Sequence, residues 1–110
     1  MVSEATAKAP TNPSAWFTLG VIWDKMGVFD NVVAAMEKAI ALDPKNAAAL
    51  NYLGYSFADR NMRLPEAETL ILRALEERPE DGYFIDSLAW VRYRQGDYPR
   101  AEEGLRHALQ

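Results

Sequence analysis

Apolar residues recur along the chain at spacings of three and four, the rhythm of one helix face, and the runs that carry them are broken by glycine, asparagine and proline. The first run sets Trp16, Leu19, Gly20 and Trp23 on one face, with Asn12 placed to cap it, Pro13 to open it and Gly27 to stop it. A second follows at once, from about Asp30 to Leu42, with Val33, Met36, Ala39 and Ile40 as its stripe and Pro44 just past its end. Asn46 precedes a third run from Ala47 to about Arg60, and Pro65 opens a fourth that ends before Pro79. Asp81 caps a fifth, from Gly82 to Gln95 with its stop at Gly96, and Pro99 opens a sixth that reaches Gln110. The pattern predicts an all-α chain of three helical pairs.

The pairs are copies of one unit. Leu19-Gly20 returns 34 residues later as Leu53-Gly54 and a further 35 later as Leu88-Ala89. Ala39 to Ala74 is also 35, whereas Ala67 to Ala101 and Ala74 to Ala108 are 34, which places one inserted residue in the turn of the second unit. Asn61 stands there where Gly27 stood. Asparagine is the commonest non-glycine residue to accept a left-handed backbone, so the turn survives the insertion. The units run 13–46, 47–81 and 82–110, the last cut short, and together they form one domain. Residues 1–12 read as the remnant of a preceding helix or as a linker.

Trp16-x2-Leu19-Gly20-x2-Trp23, followed by Val32-x3-Met36 and by Pro44, resembles the tetratricopeptide repeat signature of bacterial-type repeat proteins. The second unit supplies Leu50, Leu53, Gly54, Phe57, Ala67, Ile71, Ala74 and Pro79, and the third Ile85, Leu88, Ala89, Ala101, Leu105 and Ala108. One departure stands out. Arg92 takes the place of Trp23 and Phe57, with Tyr93 beside it, so a rotated or relaxed interior is expected in the third unit. The resemblance implies a right-handed α-solenoid whose first helices line a concave face. Small residues at Gly20, Gly54 and Ala89, and at Ala39, Ala74 and Ala108, let the helices approach closely, and Trp16 and Trp23 are assigned to the core.

Charge and composition narrow the function. Hydrophobic residues make up 49% of the 110, so the chain is expected to fold, and a net charge of −4 leaves no broad basic surface for a nucleic acid. Cysteine is absent and His107 is the sole histidine, which excludes thiolate chemistry and multi-histidine metal sites. Glu66, Glu68, Glu76, Glu77, Glu102 and Glu103 fall at helix starts or on exposed faces, where the helix dipole and solubility explain them. No catalytic site, cofactor site or membrane span is predicted. The abrupt start reads as a segment taken from a longer protein, whose export signal would lie outside it, and the compartment, cytoplasmic or periplasmic, stays open.

A face offset by about 100° from the core stripe points into the groove. It carries Ser14, Phe17, Val21, Asp24 and Lys25 in the first unit, Ala48, Asn51, Tyr55, Ala58 and Asp59 in the second, and Tyr83, Asp86, Trp90, Tyr93 and Arg94 in the third. Tyrosine and tryptophan there favour binding a peptide or helix of a partner protein. The alternative is that Tyr55, Trp90 and Tyr93 only pack between repeats. The resemblance also names a ligand to exclude. Members that clamp a C-terminal carboxylate use Lys and Asn, then Asn, then Lys and Arg, where this chain has Phe17 and Val21, then Tyr52, then Tyr83 and Ser87. A structural self-association module, or a targeting arm of a larger and even enzymatic parent, are the competing readings. Leu105, Ala108 and Leu109 on the last helix are the expected self-association surface, giving a homodimer through the terminal repeats.

Overall fold

The computed structural model describes residues 12–109, with side chains at all of these except His107 and Ala108. Six helices fill that span: α1 Pro13–Lys25, α2 Phe29–Leu42, α3 Ala47–Asp59, α4 Leu64–Glu77, α5 Gly82–Arg94 and α6 Tyr98–Ala108. No strand occurs among the described residues. The expected remnant over residues 1–12 lies outside them but for Asn12, as do the side chains of His107 and Ala108.

Local chemistry explains where the first helix of each unit begins. Asn12 Oδ1 accepts from the amides of Ser14 (2.9 Å) and Ala15 (3.4 Å), Asn46 Oδ1 from Ala49 (3.1 Å), and Asp81 Oδ1 from Tyr83 (2.9 Å) and Phe84 (3.3 Å). Each side chain satisfies amides that a helix start leaves without an intrahelical acceptor. The second helices emerge directly from a tight turn and begin one residue earlier than the sequence pattern suggests, at Phe29, Leu64 and Tyr98.

The turns share one backbone arrangement. Gly27 and Gly96 adopt φ of +76° and +83°, and Asn61 adopts +55°. In each unit that residue donates three residues back and the next donates five back: Gly27 to Asp24 and Val28 to Trp23, Asn61 to Ala58 and Met62 to Phe57, Gly96 to Tyr93 and Asp97 to Arg92, all between 2.8 and 3.0 Å. The inserted residue costs the second turn a further left-handed position, Arg63 at φ +49°. An L-residue is strained there. Its guanidinium lies 5.1 Å from the Phe57 ring centroid, a contact that helps to hold it.

Helices pair within each unit, α1 with α2, α3 with α4 and α5 with α6, and the units stack in order, with α3 against α2 and α5 against both α4 and α3. A pair cannot bury its apolar face alone, and stacking supplies the missing wall. The result is an all-α solenoid. Its interior is densest in the central unit, where Leu50, Leu53, Phe57 and Ile71 are fully enclosed, continuous with Val32 and Met36 behind and Val91 ahead.

The flanking units depart from the expected core. Trp16 and Trp23 pack against its edge and are only partly buried, because among the described residues a neighbouring unit covers them on one side, whereas Phe57, the counterpart of Trp23, is covered on both. In α5 the inward residues are Phe84, Ser87, Ala89 and Val91, while Ile85 and Leu88 are only partly buried, so the face is turned by about one residue. Arg92 explains the turn. Its Nε stands 3.4 Å from Glu68 Oε2 on α4, and Arg100 Nη2 approaches the same oxygen at 3.8 Å, so the guanidinium is paired at the interface rather than forced into the core.

Candidate partner-binding groove

The first helices α1, α3 and α5 lie along one side of the stack, and their contacts order the face they share. Phe17 meets Tyr52 edge-on at 5.6 Å between ring centroids, and the Tyr52 hydroxyl donates to Asp24 Oδ2 at 2.5 Å, tying α3 to α1. Burial pushes the Tyr52 hydroxyl well above the usual tyrosine range, and the hydrogen bond to Asp24 and that residue's charge push it further. Between α5 and α3 the tie is arginine to backbone. Arg94 Nε donates to the Ala58 carbonyl oxygen at 3.0 Å and Nη2 to that of Asp59 at 2.8 Å, satisfying carbonyls at the end of α3.

Two concavities open on this face. The first, about 480 Å³, lies between α3 and α5 and is lined by Asn51, Tyr55, Tyr83, Asp86, Ser87 and Trp90. The second, about 510 Å³, continues past Asp86, Trp90 and Tyr93 of α5 onto α6, where Tyr98, Glu102 and Leu105 line it. A smaller hollow of about 160 Å³ holds Asp24, Tyr52, Tyr55, Ser56, Asp59 and Arg60. Trp90 and Tyr93 stack at 5.3 Å with 15° between their planes, Tyr98 leans on Tyr93 at 5.5 Å, and the Arg94 guanidinium lies 5.2 Å from the Trp90 centroid. This forms a rigid aromatic platform. Asn51 Oδ1 and Trp90 Nε1 are closed off from solvent and have no hydrogen-bond partner. Both residues line the first hollow, but these two atoms are out of reach from it.

The structure brings Asn51, Tyr55, Tyr83, Asp86 and Trp90 together around one hollow and places Tyr93 in the next. Tyr83 is 83% exposed, Tyr93 50% and Tyr55 44%, so these rings face solvent, whereas Trp90 packs against the core along part of its surface. Phe17 and Val21 also pack against the core, and neither lines any of the three hollows. Asp24 lines the smaller hollow through its bond to Tyr52. Ala58, expected on the groove face, is fully buried, because the following unit closes over the end of α3. Tyr98 and Glu102 belong to a second helix and escaped a search confined to first helices. Ser87 carries no signal of its own, since its hydroxyl donates back to the Tyr83 carbonyl at 2.9 Å.

The family model described as tetratricopeptide repeat matches residues 25–82, more than half of the chain. The chain belongs to the tetratricopeptide repeat family. A TPR repeat-containing protein of Pseudomonas aeruginosa, PA4667, is 41% identical over 113 aligned residues, which take in 99% of this chain and 18% of that protein. The chain thus spans less than a fifth of that relative's length. Among solved structures, the crystal structure of MamA protein superposes with a TM-score of 0.89 at 18% identity, covering 98% of this chain and 58% of that one. The MamA MSR-1 C2 structure gives 0.81 at 23% identity, covering 98% and 62%. These likenesses establish the right-handed helical-repeat fold. Tetratricopeptide repeats serve in general as non-enzymatic modules of protein–protein interaction. Among the described residues no helix is long and apolar enough to cross a membrane, and no group of three or more His, Cys, Asp or Glu is placed to hold a metal ion.

Proposed function

We propose that the protein is an interaction module that holds a peptide or helix of a partner protein in the groove of α1, α3 and α5. The observation that carries this is the hollow between α3 and α5, where Tyr55 and Tyr83 stay exposed beside Trp90 and Asn51. Rigid aromatic rings with polar tips give large contact area for little lost conformational freedom. A photoreactive phenylalanine analogue at position 83 tests it, with a second at Glu77 as control, since Glu77 is exposed on a second helix. A partner captured from position 83 and not from position 77 supports the groove. Equal capture from both positions, or capture from 77 alone, sinks it.

A second reading has its own observation. Leu105 is 43% exposed and Leu109 88%, both on or just after α6, and unburied leucines on one flank favour self-association through the terminal repeat. The two readings meet at one edge, since Leu105 also lines the second hollow with Trp90 and Tyr93.

A further inference from the structure

The groove's carboxylates are left unanswered by the protein's own cations. Asp86 lines both larger hollows, and its carboxylate makes no hydrogen bond or ion pair among the described residues; the Asp59 carboxylate, in the smaller hollow beside Tyr55, makes none either. The nearby arginines are engaged elsewhere. Arg94 is held by the carbonyls of Ala58 and Asp59, the Arg60 guanidinium lies 4.0 Å from the Phe29 ring centroid, and Arg92 is paired with Glu68. Around Asp86 stand the rings of Tyr55, Tyr83 and Trp90. An aromatic face beside a free carboxylate attracts a cation twice, through the ring quadrupole and through charge.

We propose that the occupant of the groove is a segment of a partner protein that presents a lysine or arginine to Asp86, against the exposed rings of Tyr55 and Tyr83. The proposal rests on the groove reading above and narrows it to one chemistry. An acidic segment is repelled by Asp59 and Asp86.

Selection of a displayed library of random ten-residue segments on the intact chain, at low salt, tests the proposal. Asp86→Asn and a Tyr55→Ala/Tyr83→Ala double variant are selected in parallel, with circular dichroism confirming that each is folded. The expected outcome is a Lys or Arg recurring at one register among the retained segments. The basic preference is lost on Asp86→Asn, and all retention is lost on the double variant. Synthetic copies of retained segments should weaken about fivefold or more on Asp86→Asn, and similarly when salt is raised about tenfold. Neutral or acidic winners, or a basic preference that survives Asp86→Asn, overturn the proposal while leaving the groove in place. Segments retained equally by the double variant, or no retention at all, overturn the groove reading and the proposal with it.

Discussion

A methyl group added to Gly54 would stand 2.7 Å from Ile71 Cγ1, closer than carbon atoms pack, and 2.9 Å from the Ala67 carbonyl oxygen. Side chains can rotate away, but the second contact is backbone. Gly54→Leu should therefore destabilise the fold by about 1–3 kcal/mol through overpacking of α3 on α4. Gly104 supplies the contrast. Nothing lies within 4 Å of a Cβ built there, so Gly104→Ala should stabilise the chain by up to about 1 kcal/mol through helix propensity alone. Thermal melts of both variants decide, and equal shifts in the same direction would refute the close contact.

That pair also shows what the sequence made legible. Gly54 returned in phase with Gly20, and a repeat of small residues pointed to close helix approach before any packing was known. The caps Asn12, Asn46 and Asp81 and the stops Gly27, Asn61 and Gly96 were readable for the same reason, since each acts within a few residues of itself. Contacts between units were not readable. The target of Arg94 is a backbone carbonyl 36 residues earlier, which any side chain at position 58 would present, so no residue pattern announces it. The burial of Ala58 and the turn of α5 that encloses Val91 follow from the same contacts. In the groove, Tyr55, Tyr83 and Trp90 could be placed on one face by helical offset, but Tyr98 reaches that face only because α6 folds back beside α5.

Glu68 is a half-buried meeting point. It faces Arg92 at 3.4 Å, Arg100 at 3.8 Å and the Gln95 amide at 3.5 Å, so three donors from α5, the turn and α6 converge on one carboxylate of α4. Glu68→Ala should cost about 1–2 kcal/mol, more than an isolated surface pair, because it leaves the half-buried Arg92 without its partner. Glu77→Ala, on an exposed position, should stay within about 0.5 kcal/mol. Urea unfolding of the two variants checks the ranking, and a Glu68→Ala loss no larger than that of Glu77→Ala would show that the network contributes nothing.

The Tyr52–Asp24 bond makes a prediction at high pH. Folding raises the Tyr52 hydroxyl above its ordinary 10.0, first by burial and then through Asp24, so the folded state favours the protonated form. The sign follows from linkage: the contribution is fully present below pH 10.0 and fades as pH rises toward the folded value. Tyr52→Phe should cost about 1 kcal/mol at neutral pH, and that difference should shrink only in strong alkali. Phenolate absorbance gives a direct check. The wild-type minus Tyr52→Phe difference should rise at higher pH than the bulk of the tyrosines, and a difference curve centred at 10.0 would contradict the bond to Asp24.

Leu105 holds on α6 the repeat position that Ile71 holds on α4, yet Ile71 is fully buried and Leu105 is 43% exposed. What differs is the neighbour. Helix α5 packs against α4 and covers Ile71, whereas no described helix covers the outer flank of α6. Leu109 lies just beyond on the same flank and Tyr98 at the start of the helix, both exposed, so the apolar strip runs the length of α6. A strip of that kind associates when it can pair with another like it, and a second copy of the chain offers the same strip in a two-fold arrangement. The expected outcome is a mass that rises toward the dimer with concentration in sedimentation, and that Leu105→Glu returns to the monomer by placing like charges at the contact. The exposed position means the variant should keep its melting temperature at low concentration. A wild-type chain that stays monomeric at every concentration, with Leu105→Glu indistinguishable from it in mass, would mean that this flank is satisfied by water alone.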